Sequence, residues 1–416
     1  MSSGARIRFV LPSVVLGAGL TAASTSAMNL VLPDLRRDLA ASSAQTAWFV
    51  VAFLVALIAV LPLAGRIADA RGHASVYLCG FAAYAVGSLL CAGAPGPWFL
   101  VVARGTQGAS AAFIIAATPA LAAASARAGA EGSALGWLSS ATYAGMAAGP
   151  ALVSRVLQSG GWRATFLASA VVSAVVVSAG FLSIPSELIR RERQQHPPPL
   201  SHHRWRGFRA RIRELAAALP GPETRSTLLV SLAVHAALGG CIFMLSLVLK
   251  DRLQLAAHAS GALWTAHASG LAGAAALAGM ASDRIGPRRV SLLAMMVMAT
   301  GMMGLGQAWS RLVPWQAGLW LVLVGAGAGA FAAATSGILV GEARPQSRGV
   351  AGSWLALSRN AGTCCGIGLA TAIPSPTAMQ HSLAAGALLV LFASVATLLR
   401  NRHPVLLGDV GAEKVS

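Results

Sequence analysis

The sequence predicts an all-α polytopic membrane protein, with twelve transmembrane helices arranged as two pseudo-symmetric six-helix bundles. Three observations carry this prediction. Of the 416 residues, 56% are hydrophobic and only 11% are charged, whereas a soluble domain carries roughly 25% charged residues. Apolar runs of about 20 residues, the length of helix that spans a bilayer core, recur along the whole chain. A short loop motif also appears twice, at the same place in each half. A β-barrel would instead show segments of about ten residues alternating apolar and polar, and the chain has none.

Read against their breakers, the apolar runs place helices at 9–32, 45–64, 74–93, 98–123, 133–157, 163–184, 226–249, 259–281, 290–308, 316–340, 350–373 and 382–400. Four parts follow: a first bundle over 1–185, a linker over 186–225, a second bundle over 226–402, and a tail over 403–416. At the start, Arg6, Arg8, an apolar run and "TSA" at 25–27 have the outline of a signal peptide. The apolar run is too long for one, and the segment reads as an uncleaved first helix.

Alternating the spans across a bilayer, with the N-terminus inside, puts 22 basic residues on the cytoplasmic side and 6 on the other. Such a bias orients membrane proteins and places both termini in the cytoplasm, while the excess of arginine over lysine and the alanine-rich apolar runs point to a bacterial inner membrane. It also accounts for the net charge of +18 without nucleic acid as a partner. Trp48, Trp98, Trp162, Trp309 and Trp315 fall at the opposite ends of the spans, as an aromatic belt would. In the linker, Trp205, Phe208, Ile212, Leu215 and Leu219 recur at helical spacing among arginines. That pattern predicts a basic amphipathic helix over 204–219 lying on anionic inner-leaflet lipids. The five cysteines lie in apolar runs without metal-ligand spacing and read as packing residues, so no metal or cofactor is expected.

The repeated motif is "GRIADARG" at 65–72 and "GMASDRIG" at 279–286. Each copy ends the second helix of a six-helix unit with Gly-x-x-x-Asp. Two such repeats around a central cleft are a transporter plan, with the substrate site near the bilayer midplane. The fourth run holds "LVVARGTQGASAA", which sets Arg104 and Gln107 inside the hydrocarbon region. An arginine there costs about 2.5–3.5 kcal/mol on insertion scales, so it is expected to face a cavity or a partner. The fifth run holds "GMAAGP", with Gly145 and Gly149 one turn apart before Pro150, a pattern for close helix approach and a kink.

Together these motifs resemble the major facilitator superfamily over about 9–400, and most of all its drug-efflux antiporters. The resemblance implies alternating access by two rocking bundles, without catalysis of a reaction. It implies a cytoplasmic gate at Gly65, Asp69, Arg71, Gly72, Gly279, Asp283, Arg284, Gly286 and Arg288, with Asp69 meeting the eleventh helix near 349–352. It assigns proton and substrate handling to Arg104, and export by antiport to Gly145, Gly149 and Pro150. The first-helix pattern of the related fourteen-helix efflux branch fits loosely. Asn29, Leu32 and Pro33 match, but Ser24 stands where the family has an aspartate.

All thirteen acidic residues fall in loops, tails or at span ends. If protons drive transport, the carriers are then His235 or His267, since histidine titrates near neutral pH. The central site is expected around Asn29, Arg104, Gln107, Arg359 and Asn360. Two arginines with no acid to offset them favour a neutral or anionic small organic substrate over a lipophilic cation. An importer or uniporter, or a sensor that has lost transport, shares the same architecture. An intramembrane enzyme would need converging catalytic groups, which the singly scattered histidines do not supply. The chain is expected to act as a monomer.

Overall fold

A computed structural model describes residues 3–124, 131–183, 222–342, 348–372, 385–391 and 393. Its helices are α1 (Ser3–Ser26), α2 (Met28–Asp38), α3 (Ser43–Arg71), α4 (His73–Ala92), α5 (Pro97–Ala124), α6 (Glu131–Ser183), α7 (Pro222–Arg252), α8 (Ala257–Ile285), α9 (Pro287–Ala308), α10 (Pro314–Glu342) and α11 (Arg348–Thr371). Residues 385–391 are helical where the twelfth span is expected. The linker helix expected over 204–219 lies outside the described residues.

The helices overrun the apolar runs by a few residues at each end, where polar side chains reach past the hydrocarbon. Two departures are larger. The first span is a bent pair, α1 and α2, meeting at 44° around Ala27. Pro33 removes the N–H that would bond the Asn29 carbonyl, which weakens the helix just past the bend. α6 holds two spans, because Gly161 breaks the helix with φ 66° and ψ −170°. Its apolar stretch, Ser140–Leu182, is 43 residues long, about twice what one crossing needs. α8 carries His267 and α11 carries Arg359 within their spans.

The two loop motifs fold alike. Gly72 (φ 89°, ψ 136°) caps α3, and Gly286 (φ 86°, ψ 144°) caps α8, a backbone conformation that glycine alone adopts cheaply. Each donates its N–H four residues back, to Ala68 and Ser282, and each then starts the next helix within a residue. The repeat in sequence is therefore a repeat in backbone.

Among the described residues, the halves share a core at one face. α8 packs on α6, α11 on α3, and α2 on α7. One continuous apolar core joins Leu30, Leu35, Phe49 and Leu157 of the first half to Leu245, Leu249, Leu263 and Ile367 of the second. All lie toward the face that carries residues 39–42 and 253–256. Toward the other face, that of Gly72 and Gly286, the described cores stay separate. Phe53, Leu57, Tyr77 and Phe81 pack within the first half, and Leu228, Leu339 and Leu355 within the second.

The aromatic belt is narrower than the sequence suggests. Trp48, Trp98 and Trp315 are exposed, but Trp162 and Trp309 are buried. Trp162 follows the break at Gly161, which turns it inward to pack edge-on against Phe166.

Candidate functional site

α5 is held close to its neighbours by small residues. A Cβ on Gly108 would overlap the Phe53 carbonyl of α3, and Gly87 of α4 lies against the Gln107 backbone. This contact carries Arg104, one turn earlier, into the first bundle, where it is 6% exposed. Its Nε donates to the Phe49 carbonyl at 2.8 Å, its NH1 donates to Gln107 Oε1, and the guanidinium stacks over Phe53 at 4.5 Å. Gln107 Nε2 donates to Ser88 Oγ at 2.8 Å, and Ser88 donates to the Tyr84 carbonyl at 2.8 Å. Arg104 is thus neither snorkelling nor free. It heads a hydrogen-bonded chain through α3, α5 and α4.

Beside this chain lies a small cavity walled by Met28, Val31, Tyr84, Arg104, Gln107 and Thr165. Asn29, half-buried in the first turn of α2, is not part of that wall, although Met28 before it and Val31 beyond it are. The side chain of Ser24 lies outside the described residues. Asp34 is more buried than its place near a span end suggests, at 7% exposed, and takes Arg37 of its own helix at 2.9 Å.

The "GMAAGP" segment brings two helices to α6. Cβ atoms on Gly145 and Gly149 would overlap the carbonyls of Gly19 and Ala23 in α1, and Ser26 Oγ donates to the Met146 carbonyl at 3.0 Å. On another side, Gly261 of α8 lies against the Pro150 carbonyl and Ser154. The motif therefore sits in the sealed face, touching both halves.

In the second half, Arg359 of α11 reaches α10. Its NH2 donates to the Ala332 carbonyl at 2.6 Å, to Ser336 Oγ at 3.0 Å and to Thr335 Oγ1 at 3.2 Å. Its Nε is buried and meets no acceptor. His235 of α7 and Tyr143 of α6 both lie within electrostatic reach of this guanidinium, and Tyr143 belongs to the opposite half. His235 sets Nδ1 against the Ser231 carbonyl at 2.8 Å, so that nitrogen carries the hydrogen. His267 faces the Leu321 carbonyl of α10 at 3.1 Å. Asn360 spends its Nδ2 on Ala356 of its own helix at 2.8 Å.

The sequence-predicted residues thus fall into two groups. Arg104 and Gln107 share one network, Arg359 and His235 share another, and Asn360 donates back into its own helix. At the gate, Arg71, Asp283 and Arg284 are exposed and Arg288 is half-buried, while Gly65 and Gly279 have no atom within 4 Å of an added Cβ. The side chains of Asp69 and of residues 349–352 at the start of α11 lie outside the described residues. Ser88, Tyr143, Thr335 and Ser336 were not foreseen. Only a contact between helices marks them, since hydroxyls in membrane helices normally bond their own backbone.

A family model described as Major Facilitator Superfamily matches residues 14–249. Over 385 residues the chain is 21% identical to the riboflavin transporter RibZ of Clostridioides difficile, covering 84% of each protein. It is 24% identical over 385 residues to the tetracenomycin C resistance and export protein of Streptomyces glaucescens, covering 82% of this chain and 71% of that one. Three further matches to resistance or export proteins span only 18% to 32% of those proteins. In fold, it is similar to a bacterial homologue of the human lysosomal transporter Spinster, solved in an inward-facing and occupied conformation. The TM-score is 0.74 at 14% identity, over 95% of this chain and 97% of that one. The loop repeat, the twelve-span plan and the matched half of the sequence agree, and the chain belongs to the Major Facilitator Superfamily.

Proposed function

We propose that this transporter exports a neutral or anionic small organic molecule by alternating access, from a bacterial inner membrane in which both termini are cytoplasmic. The observation that carries the reading is the asymmetry of the two faces. The halves are joined by one apolar core at the 39–42 face and have separate cores at the Gly72 and Gly286 face. With 22 basic residues on the latter side against 6, that side is the cytoplasm, so the cleft opens inward, ready to load from the cell. The position of Gly145–Pro150 in the sealed face supports export, as does the likeness over 71% of a resistance and export protein. In this reading Arg104, Gln107 and Arg359 give the cleft its positive field, with Asn29 and Asn360 beside them. His235 and His267 remain the titratable groups for proton coupling. Asp69 and Asp283 latch the cytoplasmic side once it closes, and the monomer is the working unit.

The test is growth of an efflux-deficient bacterium expressing the chain, challenged with toxic compounds sorted by charge. Protection confined to neutral and anionic compounds is the expected outcome. Protection against lipophilic cations would overturn the substrate class and point to Asp34 as the acid that reaches them. Sensitisation instead of protection would reverse the direction. That second reading, uptake, is favoured by the full-length likeness to a protein named only as a riboflavin transporter.

A further inference from the structure

We infer that Arg359 is the attachment point for a single oxyanion on an otherwise apolar substrate, a carboxylate or a phosphate. The inference rests on the reading that the cleft between the halves holds the substrate, and it adds which atoms hold which group.

Three observations converge on it. The Arg359 head is fixed, because NH2 is held by three oxygens of α10: the Ala332 carbonyl, Thr335 Oγ1 and Ser336 Oγ. The remainder of the fork is not satisfied, because Nε is buried without an acceptor. Buried charged donors are rarely left so, since each unmade bond forfeits what water would have supplied. The charge itself is also unbalanced. Among the described residues, the groups that act on it are the Tyr143 phenol and the His235 ring, neither an acid, and the sequence places the acidic residues in loops, tails or at span ends.

An oxyanion entering between α6 and α11 answers both deficits. It brings the counter-charge, and its oxygens accept from the guanidinium and from the Tyr143 hydroxyl. Arg104 differs in that its Nε and NH1 both have acceptors, the Phe49 carbonyl and Gln107 Oε1. Because Tyr143 and Arg359 belong to opposite halves, the oxyanion also bridges the cleft. That makes it a ligand whose affinity depends on how far the halves are parted.

The test is acid-against-amide selectivity in the purified full chain, in neutral detergent. Matched pairs differing only in charge are used: 1-naphthoate with 1-naphthamide, and biphenyl-4-carboxylate with its amide. Binding is read as the shift in thermal unfolding midpoint over a concentration series. The wild type is expected to bind at least one acid tenfold or more tightly than its amide. Arg359→Gln should abolish that preference, Arg359→Lys should retain part of it, and Tyr143→Phe should weaken it about threefold. If Arg359→Gln does not fold, Thr335→Val with Ser336→Ala releases the α10 anchor and should cut the preference at least threefold.

A parallel series with phosphatidylglycerol separates the sources. Arg359-dependent stabilisation by the lipid alone identifies the oxyanion as a lipid headgroup. No acid preference in any pair and no lipid effect, or a preference unchanged in Arg359→Gln, overturns the inference. Flux in proteoliposomes distinguishes the two levels. Charge-blind flux would remove the oxyanion site and leave transport standing, whereas acid-selective binding without flux would do the reverse.

Discussion

Arg104 and Arg359 each sit within a span of a different half, and each half treats its own differently. Both sit one turn before a glycine that lets two backbones touch: Arg104 before Gly108, against Phe53 of α3, and Arg359 before Gly362, against Leu232 of α7. Beyond that the likeness ends. Arg104 finds a carbonyl, an amide oxygen and an aromatic face, and Gln107 carries the network on to Ser88. Arg359 concentrates its bonds on one nitrogen and leaves another without an acceptor. A buried cation whose Nε has an acceptor is tied into the packing on that side, and one whose Nε has none keeps that donor unmet. The difference teaches that an intramembrane arginine is not a site by position alone. Which of its nitrogens lack an acceptor matters as well.

The largest expected effects test what the two have in common. Gly108→Leu and Gly362→Leu would each drive a side chain into a backbone carbonyl. Either should cost about 3 kcal/mol or more, at the upper end for overpacking, and the loss should appear as aggregation or a collapsed yield in size-exclusion chromatography. A monodisperse Gly108→Leu protein would mean that α3 and α5 are not in backbone contact. Next come the arginines themselves. Arg104→Gln should lower stability by about 2–3 kcal/mol, because Gln107 and the Phe49 carbonyl lose a charged donor. Arg359→Gln should cost less in the same thermal unfolding assay, since that guanidinium is not fully satisfied. Equal losses would erase the distinction between them. A milder change sharpens it: Ser88→Ala removes the acceptor of Gln107 Nε2 and should cost about 1 kcal/mol.

The helices were legible almost throughout, because hydropathy over about 20 residues is what a bilayer selects. The bend at Ala27 was not, since it lies inside an unbroken apolar run. Trp162 was misplaced for a related reason: distance along the chain located it at a span end, but the break at Gly161 decides which way it turns. Within the site, Arg104 and Gln107 were legible as a pair three residues apart on one helix face. Thr335 and Ser336 were not, because nothing near them in the chain announces a partner on α11. Asn360 has a polar neighbour in sequence, yet its amide closes on its own helix. Contacts between halves depend on the packing of distant helices, and a single sequence carries no record of those pairs.

The smallest effect concerns the loop repeat, and it separates the two faces. Gly65 and Gly279 open the two copies of the motif, yet neither has an atom within 4 Å of an added Cβ. Alanine is the better helix former by about 0.8–1 kcal/mol. Gly65→Ala and Gly279→Ala should therefore leave the unfolding midpoint unchanged or raise it by a degree or two, unlike the glycines of the sealed face. If these glycines are kept for the state in which the parted face closes, the added methyl obstructs that state and leaves this one alone. The equilibrium then shifts toward the structure described, and flux should fall while stability does not. A lowered midpoint would mean the residues outside the described segments already cover these positions. Unchanged flux with unchanged stability would mean the two helices do not come together there at all, and the gate would have to be sought at Gly72 and Gly286.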